Sequence, residues 1–152
     1  MADGEFELGN DGPSVILVGV DESVTASRAA WYAAGLARRQ GARVVAVYVE
    51  PNATMLLTSA AGAGVLAAEN EAHSEIAKGL SDTAAEVARE LGIPLEFIIT
   101  QGDAVHEITR IAQETRADAI VVGSSLKAGH RLLGSIAVRL VKAGKWPVTV
   151  VP

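Results

Sequence analysis

The sequence predicts an α/β domain in which a five-stranded parallel sheet, ordered 3-2-1-4-5, carries helices on both faces. The chain has 152 residues, the size of one domain, and 49% of them are hydrophobic whereas only 4% are aromatic. Runs of Val and Ile, which favour strands, alternate with stretches rich in Ala and Leu, which favour helices. Strands alternating with helices form parallel sheets, and right-handed crossovers leave few strand orders.

The first strand and helix are predicted at the start of this pattern. Ser14–Val20 (SVILVGV) is a short apolar run of the kind that forms a buried strand. A helix is predicted from about Val24 to Gln40. Either Ser23 or Thr25 can serve as its N-cap, and Gly41 ends it.

The middle of the chain continues the alternation. Arg43–Val49 (RVVAVYV) is the second predicted strand, and a loop follows over Glu50–Gly64. A long helix is predicted from about Val65 to Leu91, where Gly92 stops it. Leu95–Thr100 (LEFIIT) is the third strand.

The last third completes the predicted sheet. Gly102–Asp103 breaks the chain and caps a helix over Ala104–Thr115. The fourth strand is Ala119–Val122, and a Gly-rich loop leads from it to a helix at about Gly134–Ala143. Pro147–Val151 (PVTVV) is the fifth strand.

The N-terminal segment Met1–Gly12 lies outside this pattern, which leaves one domain over residues 13–152. The segment is acidic and Gly-rich, and we expect a disordered tail or a remnant of cloning sites, which would encode Glu5–Leu8. The chain has no cysteine, which excludes disulfides and thiolate chemistry. No apolar run is long enough to span a bilayer, so we expect a cytoplasmic protein without membrane contact.

Charge is distributed unevenly along the chain. The net charge is −5, which argues against general nucleic-acid binding. Residues 1–118 carry −10, whereas residues 119–152 carry +5 and no acidic side chain. This asymmetry indicates an anionic ligand near the C-terminal third. Alternatively, Arg139, Lys142 and Lys145 complement the C-terminal end of the last helix.

The predicted topology indicates where a ligand would bind. Open α/β sheets bind ligands beyond the carboxyl ends of their strands, where the strand order reverses. In this sheet that place lies between strands 1 and 4, beside Asp21 and Gly123. A carboxylate such as Asp21 can accept hydrogen bonds from ribose hydroxyls, but Asp21 or Ser23 can equally cap the first helix.

The loop after strand 4, GSSLKAGHRLLGS, is a candidate phosphate site. Gly134-Ser135 lies where the last helix begins, and the exposed N–H groups of a helix start suit a phosphate. Further contacts could come from four loop residues: Lys127, Gly129, His130 and Arg131. A flexible loop with solvated basic residues is the alternative. The sequence matches neither the P-loop nor the Gly-rich dinucleotide fingerprint.

Four segments together resemble the universal stress protein family over Ser14–Val151: VILVGVDES, VVAVYVEP, TQGDAVHEI and DAIVVGSS…LLGSIA…WPVTVV. The resemblance implies the adenine-nucleotide alpha-hydrolase-like fold. Many members of that family bind ATP, some bind AMP-like or cyclic nucleotides, and others bind none. A homodimer formed through the last strand, Pro147–Val151, is also implied, because an apolar sheet edge requires pairing or cover.

The resemblance further implies nucleotide-binding roles for seven residues: Asp21, Val49, Val122, Gly123, Gly134, Ser135 and Ile136. Asp21 would contact the ribose or adenine, and the backbone of Val49 would meet the adenine. Val122 and Gly123 would lie under the ribose. The remaining three would receive the phosphates through backbone N–H groups and the Ser135 hydroxyl.

The loop also departs from the family's ATP-binding pattern, G-x2-G-x9-G-[ST]. Leu126 stands where the second glycine belongs, and Gly123 and Gly134 are two residues closer together than the pattern requires. Such a loop can still hold one phosphate at Gly134-Ser135. We therefore expect weakened triphosphate binding.

These observations predict a regulatory protein that binds ATP or a smaller adenine nucleotide, with or without Mg²⁺, between strands 1 and 4. The alternative is a dimeric interaction module of the same fold that binds no nucleotide. Phosphoryl-transfer enzymes need a metal clamp and a residue that orients the nucleophile. The carboxylates available for this are distant in sequence: Asp21, Glu22, Glu50 and Asp103. We expect no catalytic residue, no resident metal and at most slow ATP hydrolysis.

Overall fold

The computed structural model describes residues 12–51, 63–125 and 134–152. Within them five strands and four helices alternate: β1 (Val15–Val20), α1 (Val24–Gln40), β2 (Arg43–Glu50), α2 (Ala63–Leu91), β3 (Leu95–Gln101), α3 (Ala104–Glu114), β4 (Ala119–Gly123), α4 (Ser135–Ala143) and β5 (Val148–Val151). The four predicted loop contacts, Lys127, Gly129, His130 and Arg131, lie outside the described residues, as does most of the N-terminal tail.

The sheet has the predicted order, β3-β2-β1-β4-β5, and every neighbouring pair is parallel. β1 lies at the centre, where Ile16 is aligned with Val44 on one side and with Ala119 on the other. Because all strands run the same way, their carboxyl ends meet at one edge. The order reverses between β1 and β4, which places the switch point at this edge.

Two apolar layers cover the two faces of the sheet, as predicted for a doubly covered sheet. Ile16 and Val18 of β1 pack in one layer with α1 and the end of α2, whereas Leu17 packs in the other with α3 and α4. Side chains alternate between faces along a strand, so one continuous apolar run supplies both layers. Ala29 and Ala33 of α1 are fully buried, and their small side chains bring this helix close to the sheet.

Helix ends follow the predicted capping chemistry with two adjustments. Ser23, rather than Thr25, is the N-cap of α1, because its Oγ accepts a hydrogen bond from the Ala26 N–H at 3.1 Å. α2 begins at Ala63, so the expectation that Gly64 belongs to the preceding loop is wrong. A helix tolerates an isolated glycine at a cost of about 1 kcal/mol. Among the described helices, none combines the length and apolarity needed to cross a membrane.

Candidate functional site

A cleft of about 580 Å³ opens at the switch point, beyond the carboxyl ends of β1 and β4. The ends of β1, β2 and β4 and the N-termini of α1, α3 and α4 form its walls. All seven residues for which the family resemblance implied a nucleotide-binding role line it: Asp21, Val49, Val122, Gly123, Gly134, Ser135 and Ile136. The topology therefore brings together segments that are more than one hundred residues apart.

The walls of the cleft combine an apolar interior with a few polar groups. Val47 and Val122 are buried, and Ile108 of α3 packs in the same apolar layer. Hydroxyl groups of Ser23 and Ser135 belong to the exposed part of the lining. Small-molecule sites are typically clefts of roughly 300–1,000 Å³ with this mixture of apolar walls and convergent polar groups.

Gly123 is the point where β4 meets the first turn of α1. A Cβ built on Gly123 would lie 2.5 Å from the carbonyl carbon of Thr25 and 2.6 Å from the nitrogen of Ala26. Thr25, which is 2% exposed, also donates its hydroxyl hydrogen to the Ser124 carbonyl oxygen at 2.6 Å. Backbone atoms cannot move aside as a flexible side chain can. The fold therefore requires glycine at this position whether or not a ligand binds.

The start of α4 differs from the starts of α1 and α3. Ser23 and Asp103 cap those two helices with their side chains, whereas the N-cap of α4 is Gly134, which has no side chain to offer. The first N–H groups of a helix have no partner within it and carry partial positive charge. Ser135 and Ile136, in this first turn, line the cleft. The cleft thus contains a helix start suited to an anion.

Gly134 also occupies a position where a side chain would not fit. A Cβ on it would lie 2.8 Å from the Cβ of Ser125 and 3.2 Å from the Ser125 nitrogen. The two ends of the loop after β4 therefore approach each other closely. Any larger residue at Gly134 would push the start of α4 away from β4.

Asp21 follows β1 and has a local role in the turn that precedes α1. Its Oδ1 accepts a hydrogen bond from the Ser23 N–H at 2.7 Å, whereas Ser23 itself caps the helix. Asp21 also lines the cleft, and of the described lining residues it is the only acidic one. The described residues contain no group of three His, Cys, Asp or Glu side chains placed to hold a metal ion.

Three carboxylates lie near Tyr48, close to the carboxyl ends of β1 and β2. Burial raises the pKa of the Tyr48 hydroxyl, and the nearby carboxylates of Glu50, Glu22 and Asp21 raise it further. Tyr48 is 5% exposed and lies within hydrogen-bond distance of His73 Nδ1, at 3.3 Å. Of these three carboxylates, Asp21 lines the cleft, and its charge disfavours an anionic group beside the end of β1.

Arg139 pairs with a carboxylate of the protein itself. The sequence had suggested either an anionic ligand or the end of the last helix as the partner of its charge. Its Nη1 and Nη2 donate to the two carboxylate oxygens of Asp103, at 2.9 Å each. Asp103 also caps α3 by accepting from the His106 N–H at 2.9 Å. The Arg139 hydrogen bond, followed by that of His106, lowers the pKa of Asp103 to about 2. Arg139 therefore joins two helices; it complements no helix end.

Several cleft residues were absent from the prediction. Gly19 and Val20 of β1, Val47 of β2 and Ala104 of α3 line the cleft alongside the predicted set. One of them carried a signal, because an isolated glycine inside a strand often marks a close approach. A Cβ on Gly19 would lie 3.4 Å from Ile108 Cδ1. The others are ordinary strand and helix residues that only the topology selects.

Two matched structures were solved with nucleotides. A universal stress protein in complex with cAMP is 21% identical, with 91% of this chain and 96% of that chain covered and a TM-score of 0.67. The universal stress protein from Archaeoglobus fulgidus in complex with dAMP is 24% identical, with 90% and 96% covered and a TM-score of 0.65. At these identities the likeness establishes the fold.

Sequence comparisons lead to the same family. The profile of the universal stress protein family matches residues 14–152. Universal stress protein MJ0531 of Methanocaldococcus jannaschii is 31% identical over 140 residues, which are 90% of this chain and 80% of that protein. A universal stress protein family structure from Burkholderia pseudomallei is 28% identical, with 91% and 96% covered and a TM-score of 0.71. The chain belongs to the universal stress protein family.

Proposed function

We propose that this protein is a stress-response regulator that binds an adenine nucleotide, ATP or a smaller one, in the cleft between β1 and β4. The observation that carries the proposal is the start of α4, whose N-cap residue Gly134 provides no side-chain hydrogen bond, inside a cleft of nucleotide size. The cAMP and dAMP complexes of two structural relatives support adenine nucleotides as the ligand class. Such a regulator would act in the cytoplasm, where adenine nucleotides are abundant.

The chemistry of the walls supports one orientation of the nucleotide. The apolar side chains of Val49 and Val122 suit the base and the sugar, and Asp21 can accept from hydroxyl groups. Phosphate is best placed at Ser135, where N–H groups and the helix dipole favour negative charge. The Asp21 carboxylate would disfavour phosphate at the end of β1.

We expect the short loop to weaken the binding of ATP more than the binding of a monophosphate or a cyclic nucleotide. The loop between Gly123 and Gly134 is two residues shorter than the family's ATP-binding pattern and lacks its second glycine. Fewer backbone N–H groups are then available to surround the β- and γ-phosphates. A single phosphate needs only the helix start.

A nucleotide-free, dimeric interaction module is the second candidate. One observation favours it: packing alone accounts for Gly123 against α1 and for Gly134 against Ser125. Neither glycine therefore requires a ligand. β5 also has β4 as its only strand partner in the described sheet, and homodimerisation through this edge belongs to both candidates. Sedimentation that finds a monomer at micromolar concentration would exclude the proposed dimer.

Isothermal titration with ATP, AMP and cAMP tests the proposal. Ser135→Asp places a carboxylate at the helix start, where it stabilises the helix but competes with phosphate. We expect this variant to lose at least about tenfold in affinity for AMP, equivalent to roughly 1.4 kcal/mol. Ser74→Asp adds the same charge to the exposed surface of α2, none of whose described side chains lines the cleft, and should leave affinity unchanged.

The outcomes separate the two candidates. No heat and no thermal stabilisation with any of the three nucleotides at millimolar concentration would favour the nucleotide-free module. Binding that is equally weakened by Ser135→Asp and Ser74→Asp would indicate a nonspecific charge effect. Binding unaffected by either change would locate the site away from α4.

A further inference from the structure

We infer that the Asp103–Arg139 ion pair is a positioning device that fixes the phosphate-accepting start of α4 relative to α3. The inference rests on the proposed nucleotide site and adds to it two residues that contact no ligand. Neither Asp103 nor Arg139 lines the cleft. They would act by fixing the positions of residues that do line the cleft.

The geometry links two walls of the cleft. Arg139 is four residues after Ser135, so it lies about one turn further along the same side of α4. Side chains of a helix lean toward its N-terminus, which directs Arg139 toward the end that opens into the cleft. Asp103 immediately precedes Ala104, which lines the cleft from α3. The pair therefore ties the start of one wall to the first turns of the other.

Apart from the close approach of Gly134 to Ser125, α4 has few other restraints among the described residues. The helix has nine residues, and only Ala137 and Leu140 are buried. A helix this short is not stable alone and depends on its packing for position. The apolar contacts of Ala137 and Leu140 limit the distance between α4 and the sheet. They do little to fix the rotation of the helix about its axis or its shift along that axis. A planar, two-bonded guanidinium–carboxylate contact fixes both.

The exposure of the pair makes this role distinguishable from simple stabilisation. The side chains of Arg139 and Asp103 are 53% and 50% exposed. Exposed ion pairs contribute little to the free energy of unfolding. Removing this one should therefore affect the position of the helix start, and so phosphate affinity, more than it affects stability.

Asp103→Asn is the informative variant, because asparagine caps a helix about as well as aspartate. It keeps the hydrogen bond from His106 and loses the charge-assisted contact with Arg139. Arg139→Gln removes the contact from the other side. Lys78→Gln, which breaks the exposed ion pair with Asp82 on α2, is the matched control.

Titration with AMP and with adenosine gives the decisive comparison. We expect Asp103→Asn and Arg139→Gln each to lower AMP affinity about tenfold, the loss expected when one hydrogen bond to the phosphate is poorly aligned. Adenosine, which has no phosphate, should keep its affinity within twofold. The double variant should lose no more than either single variant, because both remove one contact. Lys78→Gln should match the wild type.

Three results would overturn the inference. If both variants bind AMP within twofold of the wild type, the pair is irrelevant to the site. If the variants lose affinity for AMP and adenosine equally, the defect is a general structural one. Higher AMP affinity in Asp103→Asn would mean that Arg139, once released, binds phosphate itself. Absence of AMP binding by the wild type would instead overturn the proposed function, and the positioning role with it.

Discussion

The hydroxyl of Thr25, at the start of α1, donates a hydrogen bond of 2.6 Å to the carbonyl oxygen of Ser124, which follows β4. The two residues are 99 positions apart in the chain, and both line the cleft. This bond joins the elements on both sides of the switch point. The cleft is therefore partly held in shape by a contact that is formed without a ligand.

Thr25→Val should destabilise the protein by about 1–3 kcal/mol, because valine has nearly the same shape as the buried threonine but removes the donor to the half-buried Ser124 carbonyl. The free energy of unfolding in urea measures the effect. Thr83→Val serves as the control: its hydroxyl is exposed and donates to Gly79 within α2. A change within about 0.5 kcal/mol is expected there. Equal losses in the two variants would contradict the special role of Thr25.

Gly123→Ala should cost roughly 1–3 kcal/mol through overpacking, since the new methyl group would meet the backbone of Thr25 and Ala26. Gly79→Ala gives the opposite expectation. A Cβ at Gly79 meets nothing within 4 Å, and alanine in a helix is more stable than glycine by about 1 kcal/mol. Chemical denaturation of both variants should therefore give shifts of opposite sign. A neutral Gly123→Ala would show that α1 can move away from β4.

Glu107 and Glu114 offer a comparison around one shared partner, Arg110. Glu107 is 8% exposed and accepts from Arg110 and from Thr100 at 2.5 Å, contacts that lower the pKa of its carboxyl. Glu107→Gln should cost about 1–3 kcal/mol, because it weakens charge-assisted hydrogen bonds that water does not replace. Glu114→Gln, at an exposed i,i+4 pair, should cost less than about 0.5 kcal/mol. Similar urea midpoints for the two variants would argue against this difference.

Asp103 predicts a pH dependence of stability. Its pKa is lowered from 3.8 to about 2 in the folded protein, first by the hydrogen bond from Arg139. A depressed folded-state pKa adds stability above the unfolded-state pKa, and this stability is lost as pH falls through the folded value. Because the pair is exposed, the stability difference between the wild type and Asp103→Asn should be small; it should be constant above about pH 5 and shrink between about pH 4 and 2. A difference that grows on acidification would contradict the assignment.

The fold was predictable from the sequence because its signals are local. Apolar runs such as Val15–Val20 mark buried strands, and residues such as Ser23, Gly41 and Asp103 mark helix ends through their own chemistry. The place of the cleft followed from topology, since the strand order fixes the switch point. Boundaries shifted by one or two residues, as at Ala63, because a helix can extend through residues that weakly disfavour it.

Contacts between elements that are distant in the chain could not be predicted from the sequence. The pairing of Arg139 with Asp103 depends on the relative rotation of α3 and α4, which no local pattern encodes. The charge asymmetry indicated an anionic ligand, yet one of its five cations pairs within the protein. Thr25 was considered as a cap only, because its contact with Ser124 arises after α1 packs against β4.

The close contact at Gly123 bears on how binders and non-binders in such a fold can be told apart. A mutational scan that selects only for correct folding would keep glycine at this position, since α1 leaves no room for a side chain. A scan that selects for nucleotide binding would keep it too, so the position carries no information about the ligand. Ser135 is exposed and free to vary in the first scan, and restriction there in the second scan alone would be the signature of a working phosphate site.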